Sequence, residues 1–276
     1  MNPRYLIGID IGTQGTKAAL FDEYGVCRAE AFIKSNLIRP EPGVVEEDPE
    51  EQVDAVLHVI RTCVDESGIA VDRIAAIGID GQMAGIMGIG EHGRNVTPYD
   101  SWLDTRCSSW IKQMKETAGE RILRKTGGPP SFNHGPKILW WKNEQPETYK
   151  RIHSFVQPGG YAVMRLCGMR GDGAFIDTSY LHFSGFADNS RKMWDKELLQ
   201  TFNVSPEKMA RIADPHEVVG EIIPEMAKLC GIPPGIPLIA GCGDTAASFL
   251  SCGATEEGIC VDVAGEKTRQ IGRAHV

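Results

Sequence analysis

The hydrophobic and polar positions of the N-terminal third alternate in a way that predicts its elements directly. Residues 5–11 form an apolar run broken only by Gly8 and Asp10. A Gly/Thr turn follows, and a second apolar run, residues 18–21, is closed by Asp22, Glu23, Tyr24 and Gly25, which together predict a β-hairpin. Residues 26–34 read as a third strand, and Pro40, Pro42 and Gly43 as a loop. A helix is predicted from Asp48 as N-cap, with Pro49 in its first turn and Glu51 three residues after the cap. Val53, Val56, Leu57, Ile60 and Val64 then share one face, His58 lies off it, and Gly68 ends the helix. The short continuous apolar run over residues 73–85 suits a central strand buried on both faces. Ile-Gly-Ile-Asp occurs at 7–10 and again at 77–80, so two strands would deliver Asp10 and Asp80 at their carboxyl ends. Strand-strand-strand-helix-strand is the order of a mixed α/β sheet flanked by helices.

Beyond residue 84 the pattern is plainer. Residues 84–90 read as a strand before a tight turn, and residues 107–170 as helices broken at Gly127 to Pro130 and at Pro146. A further helix is expected to begin at Pro136. Residues 174–190 are irregular and polar, leaving Asp177 and Ser179 available to a cleft. After the Pro-rich residues 231–237 comes a strand, a Gly-flanked turn and a helix starting at Asp244. There the aspartate is either an ordinary cap or a general base at a positive helix end, with Gly241 and Gly243 letting a substrate come close.

Composition narrows the function classes. The 276 residues are 42% hydrophobic and 24% charged, with a net charge of −8. No basic stripe exists to neutralise phosphates, so nucleic-acid and membrane-surface roles are not expected. The eight cysteines are scattered without a C-x-x-C pair, which fits buried thiols in a reducing, cytoplasmic setting better than zinc or disulfides. No apolar run reaches membrane-spanning length, and no signal-peptide pattern is present. His134 and His153 lack metal-ligand spacing and read as structural or polar-surface residues.

The chemistry concentrates at residues 8–17. Gly12 and Gly15 let backbone amides approach an anion, and Thr13, Thr16 and Lys17 add donors. Asp10 would repel a phosphate unless a divalent cation stood between them, and Mg2+ is often held by one or two carboxylates together with phosphates. Two familiar loops are excluded: Thr16 separates Gly15 from Lys17, unlike a Walker loop, and Gly8, Gly12 and Gly15 lack dinucleotide-loop spacing. An ordinary glycine-rich hairpin remains open at this point. Trp102, Asp104 and Arg106 could line a polyol pocket, or form a helix start with a surface Asp/Arg pair.

Five motifs in order then resemble the FGGY carbohydrate kinases. They are residues 8–17, Gly81-Gln82-Met83-Ala84-Gly85, residues 102–106, residues 136–140 and residues 241–247. The resemblance implies a ribonuclease H-like fold of the actin/hexokinase/Hsp70 type, ATP and Mg2+ as cofactors, and phosphorylation of a primary hydroxyl of a ketose or polyol. It places Asp10 on Mg2+, Gly12, Thr13, Gly15, Thr16 and Lys17 along the phosphates, and Asp244 as base. Asp80, Gln82, Met83, Trp102, Asp104, Arg106 and Asp177 would lie on the sugar side. Gly81-Gln82-Met83 looks like the xylulokinase branch, which makes D-xylulose the first expectation and ribulose or a polyol the alternative. Ala84 and Asp80 depart from that branch, and Met83-Ala84 lacks the Arg-Glu pair of glycerol kinases. A non-catalytic sugar-binding or ATPase-fold module is the reading from another class. The family resemblance further implies a second, nucleotide-carrying domain absent from this chain. Residues 1–265 would be the N-terminal domain, with a strand over 259–265, and residues 266–276 a non-native tail. A homodimer is left open.

Overall fold

The computed structural model describes residues 4–261. Its frame is a six-stranded mixed sheet. The strands are β1 (Tyr5–Ile11), β2 (Gly15–Asp22), β3 (Cys27–Lys34), the short β4 (Glu46–Glu47) outside the sheet, and, after helix α1 (Pro49–Ser67), β5 (Ile74–Gly81). There follow β6 (Met87–Ile89), β7 (Tyr99–Asp100), α2 (Ser108–Thr126), α3 (His134–Glu144), α4 (Pro146–Arg151), β8 (Ser154–Val156) and α5 (Pro158–Leu166). The chain continues with β9 (Phe175–Asp177), β10 (Ala187–Asp188), β11 (Met193–Trp194), α6 (Lys196–Thr201), β12 (Arg211–Ala213), β13 (Val218–Glu221), α7 (Pro224–Cys230), β14 (Pro237–Ile239) and α8 (Asp244–Ser251). The sheet order is β13-β14-β5-β1-β2-β3. β1 runs antiparallel to β2 and parallel to β5, and β14 extends the parallel part on β5.

The repeated tetrapeptide has a direct structural meaning. Ile7, Gly8, Ile9 and Asp10 pair in register with Ile77, Gly78, Ile79 and Asp80, so both carboxylates leave the sheet at the same end. The isoleucines are buried on the face covered by helices α1 and α5, while Leu6, Phe21 and Phe32 remain exposed on the opposite face. β5 is therefore covered fully on one face only: Ala76, Gly78 and Asp80 are half-buried, a departure from the expected double burial.

Helix α1 forms for the local reasons expected. Asp48 accepts from the Glu50 amide at 2.8 Å, Pro49 needs no donor there, and Gly68 takes the left-handed conformation at the C-cap. Val53, Val56, Ile60 and Val64 are buried, joined by Val59 and Cys63, while Leu57 is half-buried and His58 exposed. A second apolar cluster, from Ile86 through Val204, is built mainly by α2, α3 and α6 and includes Met114, Trp141, Leu198 and Phe202.

Several expectations shift. The apolar run 84–90 gives only β6, which pairs with β8 outside the main sheet. α3 begins at His134, two residues before Pro136, because a proline is tolerated throughout a first turn whose amides have no helical partner. Residues 259–261 carry no strand, and the rest of the expected strand and the expected tail lie outside the described residues. Of the eight free cysteines, Cys27, Cys252 and Cys260 are exposed rather than buried. No helix among the described residues is long and apolar enough to cross a membrane.

Candidate active site

Three aspartates meet where β1, β5 and β14 end. Asp10 and Asp80 lie side by side in the parallel register, and Asp244 opens α8 after the turn that follows β14. Asp80 is pushed up to about 8, first by burial, then by the neighbouring charges of Asp10 and Asp244. Burial and the Asp244 charge also raise Asp10, against the opposing pull of Lys17. Burial raises Asp244, while the Thr245 amide at 2.6 Å holds it back. Burial and the two neighbouring carboxylates thus push Asp80 toward its protonated form when no cation is bound. Asp10 Oδ1 and Asp80 Oδ1 are both buried without a partner among the described residues. Orphaned carboxylate oxygens of this kind suit a hard divalent cation completed by phosphate and water oxygens. No group of three or more His, Cys, Asp or Glu side chains among the described residues forms a metal cage by itself.

The turn after β1 is closed by reciprocal backbone bonds, Gly12 N–H to Gly15 O at 3.1 Å and Gly15 N–H to Gly12 O at 3.3 Å. The Thr13 and Gln14 amides at its tip take no partner among the described residues and can receive an anion. A Cβ on Gly12 would come within 3.4 Å of Asp10 Oδ2, so glycine here leaves the carboxylate room. Gly15 answers a different need: its Cβ would stand 2.2 Å from Phe32 Cε2 and 2.4 Å from Ile33 O. It is required by β3 packing, not by an anion. Thr16 is buried on the α1 side of β2, because successive strand residues face opposite ways. The expectation that it touches phosphate is therefore corrected. Lys17 faces the open side, pairs across the ladder with Asp10, and lines a cavity of about 620 Å³ with Asp10 and Asp80.

On the other side of the turn stands Trp102, 47% exposed, with its indole Nε1–H on Thr13 Oγ1 at 2.8 Å. Behind it, residues 99–106 are fastened to the frame. Arg106 reaches Asp100 at 2.6 Å, Glu46 at 2.7 Å and Asp104 at 2.9 Å, with its guanidinium 4.6 Å from the Trp140 ring centre. Asp104 accepts from the amides of Val45 and Arg106, at 2.9 and 3.0 Å. Trp141 Nε1–H donates to Asp100 Oδ2, and Lys137 Nζ donates to the carbonyls of Ser101 and Asp104. Asp104 and Arg106 thus fasten the segment that carries Trp102 from behind, where the sequence had placed them facing a sugar. The reason is that their polar atoms are taken up by each other, by Asp100 and Glu46, and by the Val45 amide. Gln82 is likewise only 1% exposed, its amide held between Thr13 and Glu47.

Asp177 is also buried, pushed up to about 6 by desolvation, and caps the short 3-10 helix Thr178–Phe183 through the Ser179 amide. That helix supports the turn before Asp244. Gly243 N–H donates to Ser179 Oγ at 2.8 Å, and Tyr180 OH bonds the carbonyls of Gly81 and Cys242. Gly241 has φ +74°, and a Cβ there would lie 1.9 Å from Ile79 O. At Gly243 a Cβ would strike Met83 Cε at 2.4 Å. Both glycines serve the approach of the turn to β5 and Met83, a correction to their expected role toward substrate. Met83 is held from the other side by His134, whose Nε2 lies 2.7 Å from the Met83 carbonyl. Glu47, Lys137, Tyr180 and His134 carry the site without having stood out as candidates. Glu47 sits in a run of acids before a helix, where only its partner Gln82, 35 residues on, distinguishes it.

A sheet with carboxylates at its strand ends and an amide-tipped turn beside Trp102 is an arrangement able to receive a small anionic group. Residues 5–251 match the model of the FGGY family of carbohydrate kinases, N-terminal domain, and the chain belongs to that family. It is 28% identical over 256 residues to a gluconokinase of Bacillus subtilis, covering 92% of this chain and 49% of that protein. It is 29% identical over 248 residues to the xylulose kinase of Escherichia coli, covering 90% and 50%. The crystal structure of xylulose kinase from Rhodospirillum rubrum superposes with a TM-score of 0.86 at 27% identity, over 92% of this chain and 52% of that one. The fold is thus the ribonuclease H-like, actin/hexokinase-type mixed sheet of these kinases. The chain spans about half the length of the curated relatives it matches.

Proposed function

We propose that this chain supplies the sugar site and first phosphate turn of an ATP-dependent carbohydrate kinase that phosphorylates a primary hydroxyl of a ketose, D-xylulose first. The observation that carries this reading is the meeting of Asp244 with the orphaned oxygens of Asp10 and Asp80 at one sheet end. Asp244 accepts the hydroxyl proton as the new O–P bond forms, and the raised basicity that burial gives it serves that role. Phosphoryl transfer passes through a loose transition state, so positioning and charge neutralisation do most of the work. Asp10 would hold Mg2+, which when bound neutralises charge on the transferring phosphates. The amides of Thr13 and Gln14, with Lys17, would orient those phosphates. Trp102 and Met83 face the sugar.

Among the activities named for the relatives, the charge of the site favours a neutral ketose over gluconate. The negative charges of Asp10 and Asp244 at the reacting end disfavour a substrate that carries its own carboxylate. Ribulose and polyols remain the alternatives of the same charge, and a cytoplasmic setting accords with this metabolism. Calorimetric titration of the chain with xylulose, ribulose, gluconate and glycerol tests the ranking. Xylulose should bind at least about tenfold more tightly than gluconate, a difference of about 1.4 kcal/mol. Gluconate or glycerol binding more tightly than xylulose would overturn it.

A further inference from the structure

One continuous line of hydrogen bonds joins the aromatic wall to the phosphate turn and then to the protein interior. Trp102 Nε1–H donates to Thr13 Oγ1 at 2.8 Å, and the Thr13 hydroxyl donates to Gln82 Oε1 at 3.2 Å. Gln82 Nε2 donates to Glu47 Oε1 at 2.8 Å, and Gln52 Nε2 donates to Glu47 Oε2 at 3.1 Å. Every direction in the line is forced. An indole nitrogen can only donate and a carboxylate can only accept, so the hydroxyl and amide between them have one arrangement. Glu47 is 2% exposed, and its carboxylate meets two side-chain amides and no cation among the described residues. A buried carboxylate held this way anchors the two side-chain amides that meet it.

We propose that Glu47 is a positioning residue that sets Trp102 and the tip of the phosphate turn as one unit. Its carboxylate fixes the Gln82 amide, Gln82 fixes the Thr13 hydroxyl as a donor to itself, and Thr13 then presents a lone pair to the indole. The Thr13 hydroxyl proton is therefore committed inside the protein, and the turn meets an anion through its backbone amides. A ligand pressing on Trp102 acts through the same bond on the residue that carries one of those amides. The use of this unit in sugar phosphorylation rests on the function proposed above; its geometry does not.

Indole 15N NMR of the whole chain tests it, with the Trp102 signal assigned among the five tryptophans by Trp102→Phe. Glu47→Leu should shift the Trp102 indole signal and speed its hydrogen exchange about fivefold or more, leaving the other four indoles in place. Glu47→Gln should restore the native signal, because Gln52 Oε1 is buried without a partner and can accept from the introduced amide once Gln52 turns over. Thr13→Val, at the turn and away from the core, should reproduce the Glu47→Leu shift and serves where that variant does not fold. An unmoved Trp102 signal in either folded variant overturns the proposal, whereas a purely structural Glu47 would lower stability and leave the indole in place. Under the joint reading Thr13→Val also weakens xylulose binding about fivefold. A native chain that binds no sugar would overturn the function, and the NMR result would still decide the positioning role.

Discussion

Replacing Arg106 with alanine separates a frame role from a ligand role. The guanidinium lies at 2.6 Å from Asp100 and 2.9 Å from Asp104, whose side chains are 3% and 2% exposed, and at 2.7 Å from the more open Glu46. Without it two buried carboxylates lose their countercharge. Stranding one partner of a buried ion pair costs about 3–5 kcal/mol. Asp104 keeps the amides of Val45 and Arg106, and Asp100 keeps the Trp141 indole, so the lower end of that range applies. Urea unfolding should therefore show a loss of about 3 kcal/mol, which at a slope of about 2–3 kcal/mol/M moves the midpoint by about 1 M or more. Adding Asp100→Asn should recover part of the loss, since one uncompensated charge then disappears. A cost below about 1 kcal/mol, with sugar binding abolished, would refute the reasoning and return Arg106 to the sugar.

Other outcomes follow from single residues. Burial pushes His134 down to about 4 from an ordinary 6.5, so the unfolded chain takes up a proton that the folded chain refuses. Stability should then fall by about 3 kcal/mol as the pH drops from about 6.5 toward 4, and His134→Gln should flatten that limb in thermal unfolding. Asp80 has the opposite sign: its raised folded value means the folded chain holds the extra proton, so its contribution is lost as pH rises toward about 8. Asp80→Asn should accordingly raise the melting temperature at pH 8 more than at pH 5. Gly241→Ala forces a Cβ to 1.9 Å from Ile79 O at φ +74° and should cost about 2 kcal/mol or more, read by denaturant titration.

Local chemistry made much of the frame legible. The β1–β2 hairpin, the Asp48 cap with Pro49, the left-handed Gly68 and the paired Ile-Gly-Ile-Asp strands all depend on neighbours within a few residues or on a repeated word. What escaped depends on which face of an element meets which distant partner. Gly15 looks like an anion-cradle glycine until β3 brings Phe32 across it. Arg106 and Asp104 look like sugar ligands until β4 and Val45 close over them. Glu47 is one acid among three until Gln82 arrives 35 residues later, and Trp102 meets Thr13 across 89 residues. Spacing along the chain found the candidate polar residues, and tertiary burial divided them into those that reach the cleft and those that hold it.

The central claim is that Asp244 takes the proton from a sugar hydroxyl. It is tested most directly by comparing phosphorylation of D-xylulose from Mg-ATP in a two-domain polypeptide carrying this sequence, with and without Asp244→Asn. The account predicts a fall in kcat of about 10²- to 10⁴-fold with xylulose binding retained. Unchanged turnover would contradict it.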